Sequence, residues 1–274
     1  MNNNDIFSMK RLFLLLQKDI QENWKKYLIH IATVYGALVV VLSFNSIPNV
    51  TYEGSAEYEN KNLITFTIFI FFVMGTVFAS TMMEPMNNKA KRISFLMNPS
   101  SASEKFLSRW LIVTIAYIIV FLLIIIPADA TRVFICTLRY PGIDIPFIDF
   151  SKIVGESESW NEYAFHPKMF MIIGSLFFLL QSVFVLGSTF WQRNTFIKTF
   201  SAGLIISATY LFICYKLITV LFDNGMEDFA HSTSLDRGEE NSFIIISAIL
   251  ISFTLINWIL AFFRFKESEI IKRL

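Results

Sequence analysis

The chain has 274 residues, of which 54% are hydrophobic and only 16% are charged, and its formal net charge is +1. In a water-soluble domain about a quarter of the residues are charged, so this chain has too few solvating groups to be one. Its apolar content also excludes disordered and collagen-like chains, and its two cysteines exclude a disulfide-rich secreted domain.

Residues 1–26 are predicted to form a cytoplasmic amphipathic helix. Apolar side chains recur there every three or four residues, at Met9, Phe13, Leu16, Ile20 and Trp24. Lysines and acidic residues occupy the other side, a pattern typical of a helix that lies in the membrane interface. A simple anchor that sets the topology is an equally good interpretation.

Six long apolar runs follow, each close to the roughly 20 residues that cross about 30 Å of hydrocarbon. They span residues 27–44, 63–83, 110–127, 169–191, 199–222 and 243–263. Because lipid offers the backbone no hydrogen-bond partners, each run is expected to be an α-helix. The predicted fold class is all-α: a polytopic integral membrane protein with six transmembrane helices within 27–264, the N-terminal interfacial helix and a cytoplasmic tail at 265–274.

Lysine and arginine are distributed unequally between the two sides of this predicted bundle. Sixteen lie in the N-terminal segment, the 84–109 segment, the 192–198 turn and the tail, whereas the opposite loops hold six. Cytoplasmic loops carry the excess of basic residues, so both termini are predicted to be cytoplasmic. The longest loop, 128–168, is then expected on the outer side, with interleaved acidic and aromatic residues.

The 84–109 segment is predicted to be more than a turn. Ile93, Leu96 and Met97 have helical spacing, which predicts a short helix with one apolar face before Pro99 ends it. A topological connection needs far fewer residues, so the extra length favours a docking surface. A solvated basic loop is the alternative.

A second helix start is predicted shortly after this proline. Glu104 follows Ser101 by three residues, the spacing of a capping box, which would begin the third span's helix while it is still in the cytoplasm. Lys105 and Arg109 follow on that helix, one turn apart. The segment thus combines a basic stretch, an apolar helix, a proline stop and a capped helix start.

A family resemblance is carried by the run Phe95-Leu-Met-Asn-Pro-Ser-Ser-Ala-Ser-Glu-Lys-Phe-Leu-Ser-Arg-Trp-Leu111. It looks like the Leu-Pro-Ala/Ser-Ser-x-x-Glu-Lys-Phe pattern that joins spans two and three in permease subunits of type-2 bacterial ABC (ATP-binding cassette) exporters. Asn98 stands where that family more often has leucine. The resemblance implies that Arg92–Asn98 forms a coupling helix seated in a groove of a separate ATPase subunit. The implied ATPase-coupling residues are Arg92, Ile93, Phe95, Leu96, Met97, Pro99, Ser101, Glu104 and Lys105.

The resemblance implies a transport function that is shared between chains. The permease subunit would move a substrate across the bacterial cytoplasmic membrane, while ATP is bound and hydrolysed on the partner ATPase. The sequence has no Gly-x-x-x-x-Gly-Lys-Ser/Thr motif, in keeping with that division. No cofactor, metal or catalytic residue is expected on this chain, and no nucleic-acid partner. The expected partners are the ATPase, the lipid bilayer and a second permease, as a homodimer or a paired subunit.

Small residues at four-residue spacing are candidates for the contact between two permeases. Two such pairs are Gly75/Ala79 and Gly203/Ser207. Ordinary packing within one chain is the alternative for either pair.

Three polar residues inside the predicted spans are candidates for a transport pathway or for interhelical hydrogen bonds: Gln181, Asn257 and Lys216. Lys216 is six residues from the outer end of its span, so its side chain could also reach the headgroups.

Two other functional classes stay open from the sequence. A membrane-embedded enzyme, such as a peptidase or an acyltransferase, would need clustered catalytic groups, but His30, His166 and His231 lie far apart in sequence. An ion-coupled secondary transporter built from two inverted three-span halves is the second alternative. The centres of the spans hold no carboxylate that could couple protons or sodium.

Overall fold

The computed structural model describes residues 7–51, 56–141, 145–155, 165–191, 193–221 and 239–271. Within these ranges the chain is helical almost throughout and has no β-strand, which confirms the all-α fold class. The α-helices are α1 (Met9–Thr51), α2 (Ala56–Ala79), α3 (Lys89–Leu96), α4 (Ala102–Leu111), α5 (Tyr117–Arg139), α6 (Pro167–Phe190), α7 (Thr195–Leu221) and α8 (Glu239–Ile271). Short 3-10 helices span Glu84–Asn87 and Phe150–Lys152, and a π-helical turn spans Ile112–Ala116.

Five helical segments of the described chain are long and apolar enough to cross a membrane. They are Met9–Ser46, Asn60–Ala79, Ala102–Arg139, Pro167–Phe190 and Phe243–Ser268. Their outward-facing side chains are largely apolar and exposed, as expected for surfaces that contact lipid. The chain therefore has the character of an integral membrane protein.

The first helix differs from the predicted division at residue 26. The expected interfacial helix and the first span are one element, α1, which is kinked at Asn23 (φ −112°, ψ 15°). The Asn23 side-chain amide donates to the backbone oxygen of Asp19 at 3.2 Å and to its carboxylate at 2.8 Å. These bonds compensate the carbonyl that a kink leaves without its helical partner, so the helix bends instead of ending.

The third predicted span also extends beyond its expected end. The prediction of a loop beginning at residue 128 is wrong for its first twelve residues, because α5 continues through Pro127 to Arg139. Asp129 and Arg132, one turn apart on α5, are both buried and form an ion pair at 2.7 Å. Paired in this way, the two charges can lie inside the fold instead of in solvent.

Successive long helices run in opposite directions between the two ends of the bundle. The start of α1, the 84–109 segment and the end of α8 lie at one end, which we call the basic end, as the Phe95–Phe265 ring contact illustrates. The end of α1 and the 145–153 segment lie at the other, where Arg132 donates to Ser46 Oγ at 3.0 Å and to the Pro146 carbonyl at 2.7 Å.

Aromatic side chains fill the core where α2, α5 and α6 meet. Phe71 stacks on Phe177 with ring centroids 4.2 Å apart, and it also contacts Tyr117 and Phe121. The Tyr117 hydroxyl donates to the Phe71 carbonyl at 2.7 Å, which satisfies the polar end of this buried ring. Gly75 allows the close approach, since a Cβ there would lie 2.7 Å from the Phe177 ring.

Candidate functional site: the 84–109 segment

The 84–109 segment folds into two short helices that are capped by their own side chains. The side chain of Asn88 accepts from the Ala90 amide at 3.1 Å and begins α3. The predicted capping box is present at the start of α4: Ser101 Oγ accepts from the Glu104 amide at 3.3 Å, and Glu104 Oε2 accepts from the Ser101 amide at 3.0 Å. Both helix starts are thus fixed locally.

Glu104 does more than cap α4, because it also holds the beginning of α1. Its Oε1 accepts from the Ser8 amide at 2.7 Å and from Arg11 Nε at 3.2 Å, and Arg11 Nη2 lies 3.1 Å away. The Glu104 side chain is fully buried. A buried carboxylate needs such partners to stay charged, so this contact ties α1 to α4.

Two further ion pairs join α1 to the segment. Arg109 Nη2 lies 2.6 Å from Asp19 Oδ1, and both side chains are largely buried. Lys26 pairs with Glu84 at the other edge of the junction. The beginning of α1, up to Lys26 just beyond the kink, is therefore held against the 84–109 segment.

The charges at this junction surround a cleft of about 270 Å³ between α1, α3 and α4. The charged residues of its lining are Lys18, Asp19, Glu22, Lys26, Glu84, Lys91 and Arg109. Most are paired across or along the cleft, including Lys18 with Glu22 at 3.8 Å. The cleft is thus a nearly neutralised junction between helices.

The Glu-Lys-Phe part of the recognised pattern also has a structural role. Lys105 is buried, and its ammonium donates at 3.1 Å to the carbonyl of Leu96, which is the last residue of α3. Phe106 packs against Phe262 and Phe265 of α8. The pattern therefore builds the scaffold that supports α3.

The apolar residues of α3 point in two directions. Phe95 and Leu96 pack toward the core, where Phe95 contacts Phe265 at 6.1 Å and the Arg109 guanidinium at 5.7 Å. Ile93 and Met97, in contrast, are 57% and 77% exposed. The single apolar face expected from the spacing of Ile93, Leu96 and Met97 is therefore split, since Leu96 lies on the inner side.

The nine predicted coupling residues thus fall into three groups. Ile93, Met97 and Pro99 are exposed, together with the neighbouring Lys89 and Lys91. The half-buried or buried members support this surface from beneath: Phe95, Leu96, Ser101, Glu104 and Lys105. Arg92 is half-buried, and its Nε finds no acceptor among the described residues.

Sequence reasoning missed the α1 residues that complete this site. Ser8 and Arg11 are more than ninety positions from Glu104 in sequence, and Asp19 is equally remote from Arg109. The one available signal was that Asp19 and Glu22 are the acidic residues of a helix that is otherwise largely basic and apolar.

Two of the three polar residues singled out within the spans form interhelical hydrogen bonds. Gln181 is fully buried on α6 and donates to Thr114 Oγ1, in the π-helical turn, at 2.6 Å. Asn257 of α8 donates to Ser182 Oγ at 3.0 Å. Lys216 of α7 is exposed, with its ammonium 5.9 Å from the centre of the Phe212 ring.

The histidines do not form a catalytic cluster within the part of the chain that is described. The His30 ring contacts Phe78 near the basic end, whereas His166 accepts from the Lys168 amide at the start of α6, at the other end. His231 lies outside the described residues. In the described ranges, no three His, Cys, Asp or Glu side chains come together as a metal site.

Comparisons with protein families, curated proteins and solved structures found no match to this chain.

Proposed function

We propose that the chain is the transmembrane permease subunit of an ABC exporter, and that the exposed side of α3 is its docking surface for a cytoplasmic ATPase. The proposal rests on the resemblance at Asn98–Phe106 and, above all, on the split of α3. Ile93 and Met97 project from a short helix that is otherwise fixed from beneath. Exposed apolar side chains on a rigid support are typical anchors of a protein interface.

The support under this surface is suited to transmitting force between the two proteins. Glu104 and Arg109 are buried or largely buried and bind α1, while Phe106 binds α8. A displacement of α3 would therefore reach the first, third and last long helices together. A flexible basic loop would not need this many buried contacts.

The remaining parts of the proposal follow from the charge distribution and the helix count. With the basic end in the cytoplasm, both termini lie on that side of a bacterial cytoplasmic membrane. Helix α7, Thr195–Leu221, adds one span to the five segments described above, which makes six. The part of α1 before Asn23 lies in the interface, with Met9, Phe13 and Ile20 exposed toward the lipid.

Six spans make half of an exporter pathway, so a second permease completes it. The Gly75/Ala79 pair is used within the chain, because Gly75 contacts the Phe177 and Tyr117 rings. The Gly203/Ser207 pair on α7 is the better contact, since a Cβ at Gly203 would meet nothing within 4 Å. We assign the dimer contact to this side of α7.

The test is co-purification of the tagged chain in mild detergent with an ATPase subunit that carries a Gly-x-x-x-x-Gly-Lys-Ser/Thr sequence. Ile93→Ser combined with Met97→Ser is expected to release that subunit and its ATPase activity. The thermal unfolding temperature should stay unchanged, because both side chains are exposed.

Met169→Ser is the matched control for this experiment. Met169 is 52% exposed, but it lies on α6 at the end opposite to the 84–109 segment. This variant should retain the ATPase fully. The proposal would be overturned if the wild-type chain recovers no such ATPase. It would also be overturned if the Ile93→Ser, Met97→Ser variant recovers as much ATPase as the wild-type chain does.

A further inference from the structure

An elongated apolar cavity lies between α2, α5 and α6, at the end of the bundle opposite to the 84–109 segment. Its volume is about 340 Å³, within the range of about 300–1,000 Å³ that is usual for ligand sites. Its lining is apolar apart from Thr67, whose hydroxyl donates to the Leu63 carbonyl at 2.8 Å. No polar group of this lining is therefore left to bind a polar ligand.

The shape of the cavity follows the helix axes. The lining extends from Ile64 to Phe72 on α2 and from Phe170 to Phe178 on α6, nine residues whose ends are about 12 Å apart along the helix in each case. One leaflet of a bilayer has about half of a 30 Å hydrocarbon core. The cavity thus has the direction and nearly the depth of a single acyl chain.

A fixed segment closes the outer end of the cavity. Phe150 and Ile153, on either side of a short 3-10 helix, contribute to its lining. Asn60 and Asp149 exchange two hydrogen bonds, of 2.9 and 3.3 Å, that hold this segment on α2. The Ile148 amide donates to buried Asp129 at 2.9 Å, which holds it on α5.

Three lysines lie at this end of the cavity. Lys61 precedes Ile64 by one turn, Lys152 lies between Phe150 and Ile153, and Lys168 precedes Phe170 by two residues. Each ammonium has three donor hydrogens, so it can serve a phosphate alongside another partner. The carboxylate of nearby Asp149 accepts from the amide and the hydroxyl of Ser151.

We propose that this cavity binds one acyl chain of an anionic phospholipid, with the phosphate of its headgroup at Lys61, Lys152 and Lys168. An apolar slot open at lipid depth accepts hydrocarbon, and the lysines select a negative headgroup. The site is separate from the 84–109 segment and does not depend on the proposed transport function.

Gly174 provides the perturbation for the test. It lines the cavity, and a Cβ there would meet nothing within 4 Å, so Gly174→Leu fills the slot without a clash at its first carbon. Gly36→Leu, on α1, adds the same side chain at another open position outside the cavity. Both changes favour the helix, and an unchanged thermal unfolding temperature verifies that each variant folds.

The probe is phosphatidylglycerol with a photoactivatable group on one acyl chain, in phosphatidylcholine nanodiscs. Labels mapped by mass spectrometry are expected on 64–72 and 170–178, and Gly174→Leu should lower them severalfold while Gly36→Leu does not. Equal labelling in both variants would overturn the site, as would labels spread evenly over exposed positions such as Leu123. Gly174→Met serves as a second cavity-filling variant if Gly174→Leu unfolds.

The headgroup is tested with the same photoactivatable chain on phosphatidylcholine. The wild-type chain should prefer the phosphatidylglycerol probe, and Lys152→Gln combined with Lys168→Gln should remove that preference. An unchanged preference would overturn the assignment of the lysines.

Discussion

The carboxylate of Glu104 is expected to be the most important single contact for the stability of the docking region. It is fully buried and accepts from Ser8, Arg11 and Ser101 at 2.7–3.2 Å. Glu104→Ala leaves Arg11 without this partner and removes half of the capping box. Since Arg11 is 27% exposed, water can solvate it afterwards, and losing its charged hydrogen bond costs about 1.5–3 kcal/mol. Loss of a cap costs about 0.5–2 kcal/mol. Because the two effects share one side chain, we expect a total of about 3 kcal/mol.

Glu104→Gln is the more conservative change. It keeps the shape but loses the charge, and its amide nitrogen cannot accept a hydrogen bond. The bonds to one of the two oxygens are therefore lost and the others weaken, at a cost of about 1.5–3 kcal/mol in total. Thermal unfolding in detergent measures the loss, and hydrogen exchange should show lost protection in α4 and in the first two turns of α1.

Glu267→Gln is the control for both variants. Glu267 pairs with Arg264 at 3.1 Å, but their side chains are 58% and 45% exposed. Such a surface pair contributes about 0–1 kcal/mol. If Glu104→Gln changes the unfolding temperature and the exchange of α1 no more than Glu267→Gln does, Glu104 does not anchor α1 and the reasoning is refuted.

Three further predictions concern the membrane-embedded part and use thermal unfolding as the measurement. Gly75→Val should destabilise the protein by about 1–3 kcal/mol, because the added side chain overpacks the helix contact. Gly36→Ala, at an open position, should be neutral or stabilising by up to about 1 kcal/mol. Equal effects of the two variants would contradict the close helix contact at Gly75. Arg132→Met leaves Asp129 buried without its partner and should cost about 3–5 kcal/mol, and an effect below about 1 kcal/mol would contradict this account of the ion pair. Gln181→Leu should change stability by less than about 1 kcal/mol, because the side-chain carbonyl oxygen of Gln181 has no partner among the described residues. If this variant lowers the substrate flux while stability is kept, Gln181 belongs to the transport pathway and not to helix packing.

Local features of the fold could be predicted from the sequence because their causes are local. The length of the apolar runs predicted the long helices, because a segment that crosses lipid must satisfy its own backbone hydrogen bonds. The three-residue spacing of Ser101 and Glu104 predicted the start of α4. The proline at position 99 marked the break between α3 and α4.

The differences came from contacts between remote residues. Asp129 and Arg132 resemble loop charges until each is seen to neutralise the other inside α5. The kink at Asn23 depends on a side chain that satisfies the backbone it disturbs. Helical spacing placed Leu96 with Met97 on one face, but only the position of α8 determines which of them is buried.

The docking of an ATPase on α3 is tested most directly by photo-crosslinking in intact membranes. A photoactivatable amino acid replaces Met97 in one chain, and Leu96, the adjacent inward-packed residue, in a control chain. We expect Met97 to crosslink to a subunit that carries a Gly-x-x-x-x-Gly-Lys-Ser/Thr sequence, and Leu96 to crosslink within the chain. If Met97 crosslinks to no such subunit although the variant chain is folded and inserted, the proposed function is contradicted.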